Sequence, residues 1–345
     1  MKPRLILQAC ITTVILCGSV WYVSTIIDVG NTIAIIRQSN LLLVVLTMPL
    51  VLLSHVVRAW RWQLLLQPAV GSTSLVSAFN AVMIGYAANS ILPRSGEIIR
   101  PTVLAIRSRF SVSTSLSSVL IERVVDVVSL LLALVLVLWV APSIIARAMP
   151  GVELSGAALR IALPLVCACI AAIVFTFSKM GMRFIVAVAR TLKNSAAPSV
   201  ESTLVSIRSG MLSVQKPRLW APIFFATISI WLLYAAPLYV MLHALPSTAS
   251  LSPSFGSACI ILVVVAFGVT IAPTPAALGV YQTFAQSAFV ATLGGSADEG
   301  FAFGMLSWIV NYGLAFLVGL LCWLAEHKQG LTLSSLRAAQ EPQAP

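Results

Sequence analysis

The chain has 345 residues, of which 59% are hydrophobic and only 9% are charged, and its mean hydropathy is +1.00. A soluble domain carries roughly a quarter charged residues, so most of this chain is expected to face lipid or other apolar helices. The formal net charge of +11 does not indicate nucleic-acid binding, because the basic residues separate apolar runs and do not line a polar face.

The cysteines and histidines exclude further classes of protein. All six cysteines lie inside apolar runs, where a thiol behaves as a small hydrophobic group, so no disulfide framework is predicted. The three histidines are scattered, and no spacing typical of a zinc or iron site occurs. A Gly-x-Ser-x-Gly elbow and a phosphate-binding P-loop are also missing from the sequence. We therefore predict neither a metal nor another cofactor.

Eight apolar regions follow one another along the chain. Six are continuous and long enough to cross a bilayer at about 1.5 Å per residue, namely 5–27, 41–57, 114–141, 157–178, 219–243 and 301–325. The first run is too long for a signal-peptide core and is predicted to be an uncleaved membrane helix. The pattern predicts an all-α, polytopic integral membrane protein.

The two remaining apolar regions, 75–106 and 254–293, are interrupted by proline and glycine. The first break is the segment 93–97, and the second is the segment 273–279. Non-helical backbone at membrane depth is tolerated only where protein or a water-filled cavity satisfies its polar groups. Each region is predicted to be a hairpin, which either re-enters on its own side or crosses the membrane as two short spans.

The basic residues give a predicted orientation, because cytoplasmic loops carry an excess of Lys and Arg. With the N-terminus inside and each hairpin returning to its own side, most of the 21 basic residues lie inside. Arg37, Arg147 and Arg160 lie outside, and Arg94, Arg100 and Arg123, in or beside the first broken region, are left unassigned. We therefore predict a multi-pass protein of the inner (cytoplasmic) membrane with both termini in the cytoplasm. The two hairpins then enter from opposite faces, which is the pattern of an inverted-repeat transporter.

Residues 1–328 are predicted to form a single membrane domain. Within it, the loop 179–218 is expected to carry a basic amphipathic helix on the inner leaflet. The tail 329–345 is small and polar, and it is predicted to be disordered.

Ionisable residues inside apolar segments are costly, so they are candidates for a functional role. They concentrate in and after the first hairpin, namely Arg94, Glu97, Arg100, Glu122, Arg123 and Asp126. If 94–106 is helical, the first three share a face, and Arg123 can pair with Asp126. Arg grips phosphate with a planar fork, so this set is predicted to bind an anionic head group. A purely structural salt-bridge cluster is the alternative.

The residues at the end of the second span have a simpler interpretation. Arg58, Arg61 and Trp62 are expected to be interfacial anchors, since Arg and Trp are common at a membrane boundary. His55 is expected to be a packed neutral histidine. Three amides in apolar segments are expected to bond across helices, namely Asn80, Asn89 and Asn311.

Four motifs resemble those of the lysylphosphatidylglycerol synthase transmembrane-region family, a group of flippase-like membrane proteins. They are Arg58-x-x-Arg61-Trp62, Asn89-x-x-Leu92-Pro93-Arg94-x-Gly96-Glu97-x-x-Arg100, Glu122-Arg123-x-x-Asp126 and Pro273-x-Pro275-x-x-Leu278-Gly279. The resemblance extends from the first span to the last.

The resemblance implies movement of a lipid with a polar head group between leaflets. Relatives accompany aminoacyl-phospholipids, hopanoids or polyprenyl-linked glycans, so the lipid itself stays open. The candidate substrate-binding residues are Asn89, Pro93, Arg94, Gly96, Glu97, Arg100, Glu122, Arg123 and Asp126, with Pro273, Pro275, Gly279 and Gln282 in the second hairpin.

The chain departs from the family pattern at three positions. Ala276 and Ala277 stand where the family has Gly-Gly, and Gln282 stands where it has Glu. A neutral amide there argues against a proton-linked or ammonium-binding role for that position. Bifunctional members also carry a soluble aminoacyl-transfer domain, which is not expected here because the chain stops soon after its last span.

Two alternatives to a transporter stay open. One is a non-catalytic subunit that recruits a cytoplasmic lipid- or glycan-modifying enzyme through the loop 179–218. The other is an intramembrane head-group transferase with Glu97 or Asp126 as base. A paired-carboxylate hydrolase built on Glu122 and Asp126 is disfavoured, because Arg123 would hold both of them ionised. A transporter is favoured over an enzyme. The predicted partners are membrane lipids and, for the recruiting subunit, that enzyme; the sequence leaves the oligomeric state open.

Overall fold

The computed structural model describes residues 28–148, 216–332 and 334–336, and the residues 164, 166–168, 171, 175, 180 and 181. Throughout this part of the chain the regular structure is helical, so the predicted all-α membrane fold is confirmed. The predicted first span, most of the span 157–178 and the predicted amphipathic helix of the loop lie outside the described residues.

The described helices are, in chain order, α1 (Val29–Gln38), α2 (Leu41–Val70), α3 (Leu75–Ile91), α4 (Gly96–Ser108), α5 (Val112–Val140), α6 (Pro142–Ala148), α7 (Trp220–Leu242), α8 (Phe255–Ile271), α9 (Val280–Leu293), α10 (Ala297–Trp308) and α11 (Leu314–Lys328). Shorter elements accompany them, namely the 3-10 turns Pro217–Leu219 and Pro275–Ala277, the one-turn helix Thr248–Leu251 and the π-helical segment Ile309–Gly313, which joins α10 to α11.

Four continuous helical segments are long and apolar enough to cross a bilayer. They are Leu41–Val70, Val112–Val140, Pro217–Leu242 and Ala297–Lys328. Each overlaps one predicted span. The segment α2 runs well past its predicted end at residue 57, because the Arg- and Trp-containing stretch continues the helix and does not cap it.

Polar side chains set the starts of the helices. Asn40 accepts hydrogen bonds from the first backbone N–H groups of α2, and Ser74 and Ser111 do the same for α3 and α5. Ser254 and Ser296 form reciprocal capping boxes at α8 and α10. The first N–H groups of a helix have no partner within it, so these caps satisfy groups that apolar surroundings would leave unpaired.

The first interrupted region is a tight hairpin of α3 and α4. The helix α3 has 17 residues and is about 25 Å long, which is less than the hydrocarbon thickness of roughly 30 Å. Its two arms meet backbone to backbone, since a Cβ on Gly96 would overlap the carbonyl oxygen of Gly85. Asn89 Oδ1 accepts a hydrogen bond from the Gly96 N–H at 2.7 Å. Small residues and one amide therefore close the hairpin.

The second interrupted region pairs α8 with α9 across the turn Pro275–Ala277. Ala276 and Ala277 both have left-handed backbone, with φ of 50° and 53°. Trp308 Nε1 donates a 2.7 Å hydrogen bond to the Ala276 carbonyl oxygen, which holds the turn against α10. The turn also contacts α3, so the tip of the second hairpin reaches the first hairpin.

Buried apolar side chains form two clusters. The larger cluster is formed by the helices α7, α8, α9 and α10 together with the start of α2 and the end of α5. The smaller cluster joins the second half of α2 with α3, α4 and the tail, where Leu331 and Leu336 are buried. The predicted disorder of the tail is therefore wrong at its start. Arg107 donates hydrogen bonds to the carbonyl oxygens of Glu326 in α11 and of Gln329 at the start of the tail.

Candidate functional site

The centre of the site is the carboxylate of Glu122 in α5, whose side chain is 0% exposed. It faces three guanidinium groups: Arg58 of α2 at 2.9 Å, Arg61 of α2 at 3.5 Å and Arg100 of α4 at 2.6 Å. One buried carboxylate therefore connects α2, α4 and α5.

Asp126 lies one turn further along α5 and extends this network. Its two oxygens each accept a 2.5 Å hydrogen bond, one from Arg58 and one from Arg61. The same guanidinium groups also reach α7, where Arg58 donates to the Tyr234 hydroxyl at 2.9 Å and Arg61 donates to the Thr227 hydroxyl at 3.2 Å. We call the group Arg58, Arg61, Arg100, Glu122 and Asp126 the buried ion cluster.

The prediction that Arg58, Arg61 and Trp62 are interfacial anchors is wrong. The side chains of Arg58 and Arg61 are 8% and 1% exposed, and Trp62 is fully buried. Trp62 Nε1 donates to Ser118 at 2.8 Å, and the Arg100 guanidinium lies 5.0 Å from the centre of the indole ring. Within the segment 58–62, only Trp60 is exposed, and it lies on the other side of the helix. The sequence does carry a signal for this burial. Leucines occupy positions 64–66 and continue the apolar helix beyond Trp62.

A second, looser ion pair lies beside the cluster. Arg123 Nε is 3.3 Å from a carboxylate oxygen of Glu97, and both side chains are 40% exposed. The pair joins α5 to α4. The predicted pairing of Arg123 with Asp126 is present only as a long contact of 3.8 Å.

A small recess opens between the first hairpin and α5. It is lined by Val82, Gly85, Tyr86, Asn89, Gly96, Arg100 and Arg123. Its charged wall consists of Arg100 and Arg123, and Asn89 and Tyr86 contribute polar groups. The same two elements also carry exposed apolar side chains, namely Ile91, Leu92, Ile98 and Leu120. The first hairpin and α5 therefore combine positive charge with apolar surface suited to lipid.

Arg94 lies apart from the ion cluster. The helix α4 begins at Gly96, so Arg94 precedes it and does not share a face with Glu97 and Arg100, as a helix over 94–106 would require. Its backbone is left-handed, with φ of 63°, and its side chain is exposed. Among the described residues it forms no ion pair. Its predicted role in substrate binding stays a prediction.

Several buried nitrogen atoms of the site have no hydrogen-bond partner among the described residues. They are the Nε donors of Arg58, Arg61, Arg100 and Arg123 and the two ring nitrogens of His55. His55 is packed against the ring of Tyr86 at 4.7 Å, so the predicted packing of this histidine is confirmed. Donors left without acceptors indicate a site suited to a group rich in acceptor atoms, such as phosphate or water.

The candidate residues of the second hairpin lie elsewhere. Pro273, Pro275 and Gly279 shape its tip, and Gln282 is 2% exposed behind it. The Gln282 Oε1 accepts the Gly279 N–H at 2.8 Å, and its Nε2 has no hydrogen-bond partner in the part of the chain that the structure describes. None of the four lines the recess.

The three amides divide between two kinds of bonding. Asn80 donates to Glu326 of α11 at 2.8 Å, and Asn89 joins the two arms of the first hairpin. Asn311 instead donates to the Ser307 carbonyl oxygen of its own helical segment at 2.8 Å, so its predicted bond across helices is wrong.

Comparison with known proteins gives one match. Residues 9–319 match the family described as lysylphosphatidylglycerol synthase TM region. The match includes both hairpins and every ionisable residue of the site, and it confirms the resemblance seen in the motifs. Among curated proteins and among solved structures, none matches the chain.

Proposed function

Because the chain belongs to the lysylphosphatidylglycerol synthase transmembrane-region family, we propose that it moves a lipid with a polar or anionic head group between the leaflets. The family indicates a membrane protein of lipid modification or lipid transport. The observation that carries the more specific proposal is the recess lined by Arg100 and Arg123, which lies beside exposed apolar surface.

The recess has a volume of only about 10 Å³, so a head group would bind at its charged edge and not inside it. Arg123 is only half-buried, and its Nε has no hydrogen-bond acceptor among the described residues. Arg forms charge-assisted, often bidentate hydrogen bonds to phosphate oxygens, which are stronger than neutral hydrogen bonds. In this proposal Arg123 and Arg100 contact the head group, and the exposed Arg94 is the first cation that the lipid meets at the break.

Apart from Arg100, the buried ion cluster supports the recess and does not itself contact the lipid. Arg58, Arg61 and Arg100 are each paired with a carboxylate, and Glu122 is fully buried. A buried ion pair is weak evidence for added stability, but it can specify which helices meet and in which register. The cluster therefore holds α2, α4, α5 and α7 in the register that places Arg100 and Arg123 at one wall.

The acyl or isoprenoid chains stay in the bilayer during this movement. The surface beside the recess carries Ile91, Leu92 and Leu120, which are 74%, 50% and 45% exposed. Such side chains are compatible with lipid tails, whereas a head group in the hydrocarbon region needs polar partners. The second hairpin, whose tip contacts α3, is the element whose movement would open the opposite side.

A vesicle assay tests the proposal. The purified protein is reconstituted into liposomes that contain a fluorescent short-chain phosphatidylglycerol, and dithionite is added to bleach the outer leaflet. The wild-type protein should expose the inner pool faster than protein-free vesicles do. Arg123→Gln should slow this exposure, while Arg109→Gln should not, because Arg109 is an exposed arginine at the other end of α4.

Two results would overturn the proposal. The first is exposure of the inner pool no faster with wild-type protein than without protein, for phosphatidylglycerol and for isoprenoid lipid analogues alike. The second is an Arg123→Gln variant that is folded and as fast as wild type, since the charged wall of the recess would then take no part in transport.

A further inference from the structure

The four guanidinium groups of the site differ in how closely they pair with carboxylates. Glu122 binds Arg100 at 2.6 Å with both side chains almost inaccessible to solvent. Arg123, by contrast, lies 3.3 Å from Glu97 without hydrogen-bond geometry at its Nε, and both side chains are 40% exposed. Exposed ion pairs contribute little to stability, so this contact can be exchanged at small cost.

The charges of the site are not balanced. The buried ion cluster together with Arg123 and Glu97 contains four guanidinium groups and three carboxylates in the described part of the chain. One positive charge is therefore in excess, and Arg94 is exposed outside this group. This excess positive charge attracts anions to the exposed side of the site, where Arg123 lies.

Position and charge together point to one ligand class. Arg123 is both the least firmly held cation and a wall of the recess. We propose that the singly charged phosphodiester of a glycerophospholipid displaces Glu97 from Arg123 and takes its place. This inference rests on the proposed transport of a head-group lipid, and it makes Glu97 a competitor of the ligand and not a part of its binding site.

The exchange also connects binding to the first hairpin. The Arg123–Glu97 pair is one of two ion pairs between α4 and α5, the other being Arg100–Glu122. When the phosphodiester replaces Glu97, the Arg123–Glu97 ion pair is broken and the buried Arg100–Glu122 ion pair remains. Lipid binding therefore loosens the exposed end of α4 while its buried face stays attached.

A lipid-binding experiment tests the exchange. Full-length protein in detergent binds a fluorescent phosphatidylglycerol, which is displaced by phosphatidylglycerol, phosphatidylcholine or, at pH 8, the doubly charged phosphatidic acid. Removing the competing charge in Glu97→Gln should tighten phosphatidylglycerol binding about two- to fivefold, the value of an exposed ion pair. Arg123→Gln should weaken it at least about tenfold. Arg109→Gln is the matched control and should leave the affinity for phosphatidylglycerol unchanged.

The preference between lipids separates exchange from a structural effect. Glu97→Gln raises the excess positive charge of the site from one to two, so phosphatidic acid should gain more affinity than phosphatidylglycerol does. An unchanged preference, or weaker binding of both lipids by a variant with wild-type melting temperature, overturns the inference even if transport is observed. Tighter binding by Glu97→Gln with no transport by any variant supports the exchange and contradicts the transport function.

Discussion

The strongest consequence of the buried ion cluster concerns Glu122→Gln. This change removes the fully buried charge that faces Arg58, Arg61 and Arg100. Asp126 still serves two of these arginines, but Arg100 has no other carboxylate partner among the described residues. Leaving one buried cation uncompensated costs about 3–5 kcal/mol in free energy of unfolding.

The matched control is Glu97→Gln, which removes the same charge from a residue that is 40% exposed. This variant should lose at most about 1 kcal/mol. The free energy of unfolding of both variants is measured in lipid bicelles by steric trapping. A second mutation, Arg100→Met, removes the stranded cation and should recover at least half of the loss caused by Glu122→Gln, as the double-mutant cycle would show.

Two results would refute this reasoning. If Glu122→Gln and Glu97→Gln destabilise the protein equally, burial does not distinguish the two carboxylates. If Arg100→Met adds its own loss to that of Glu122→Gln, the two side chains do not depend on each other, and the cluster is not a coupled unit.

Three further predictions concern the backbone and the tail, and each is read from the same unfolding assay. Ala276→Gly should stabilise the protein by about 0.5–1 kcal/mol, because its φ is +50°, whereas Ala266→Gly in α8 should destabilise it by about as much. Gly319→Ala should lower the free energy of unfolding by about 2 kcal/mol or more, because the added Cβ would overlap the backbone of α3. Gly313→Ala is its control and should be nearly neutral, because the added Cβ meets only an ordinary contact at 3.8 Å. Leu331→Ala should cost about 2–5 kcal/mol, because this side chain is 2% exposed; no loss would mean that the tail is not docked.

The sequence by itself determined the helical membrane fold and the ends of most described helices. Lipid offers no hydrogen bonds, so a spanning segment must be a long apolar helix, and such runs can be read directly from hydropathy. The two breaks were equally visible, because proline and glycine interrupt a helix locally. The family motifs and the set of candidate ionisable residues followed from the order of residues along the chain.

Only the tertiary structure decided which ionisable residues meet. Arg58 and Glu122 are far apart in the chain, and their 2.9 Å contact depends on how α2 and α5 are rotated about their axes. Hydropathy leaves that rotation undetermined where a helix is apolar on all sides. The same reason explains why the sequence predicts interfacial anchors at Arg58 and Arg61, although both side chains are buried against Glu122.

The division between Arg94 and Arg123 was also decided in three dimensions. The helix α4 begins two residues after Arg94 and leaves it exposed, while packing of α5 against α4 places Arg123 at the recess. Docking of Leu331 was likewise invisible in a polar tail, because its burial depends on a pocket formed by other helices. Spacing along the chain specifies local structure. Contacts between helices that are distant in sequence specify which charged groups of the protein can bind a ligand.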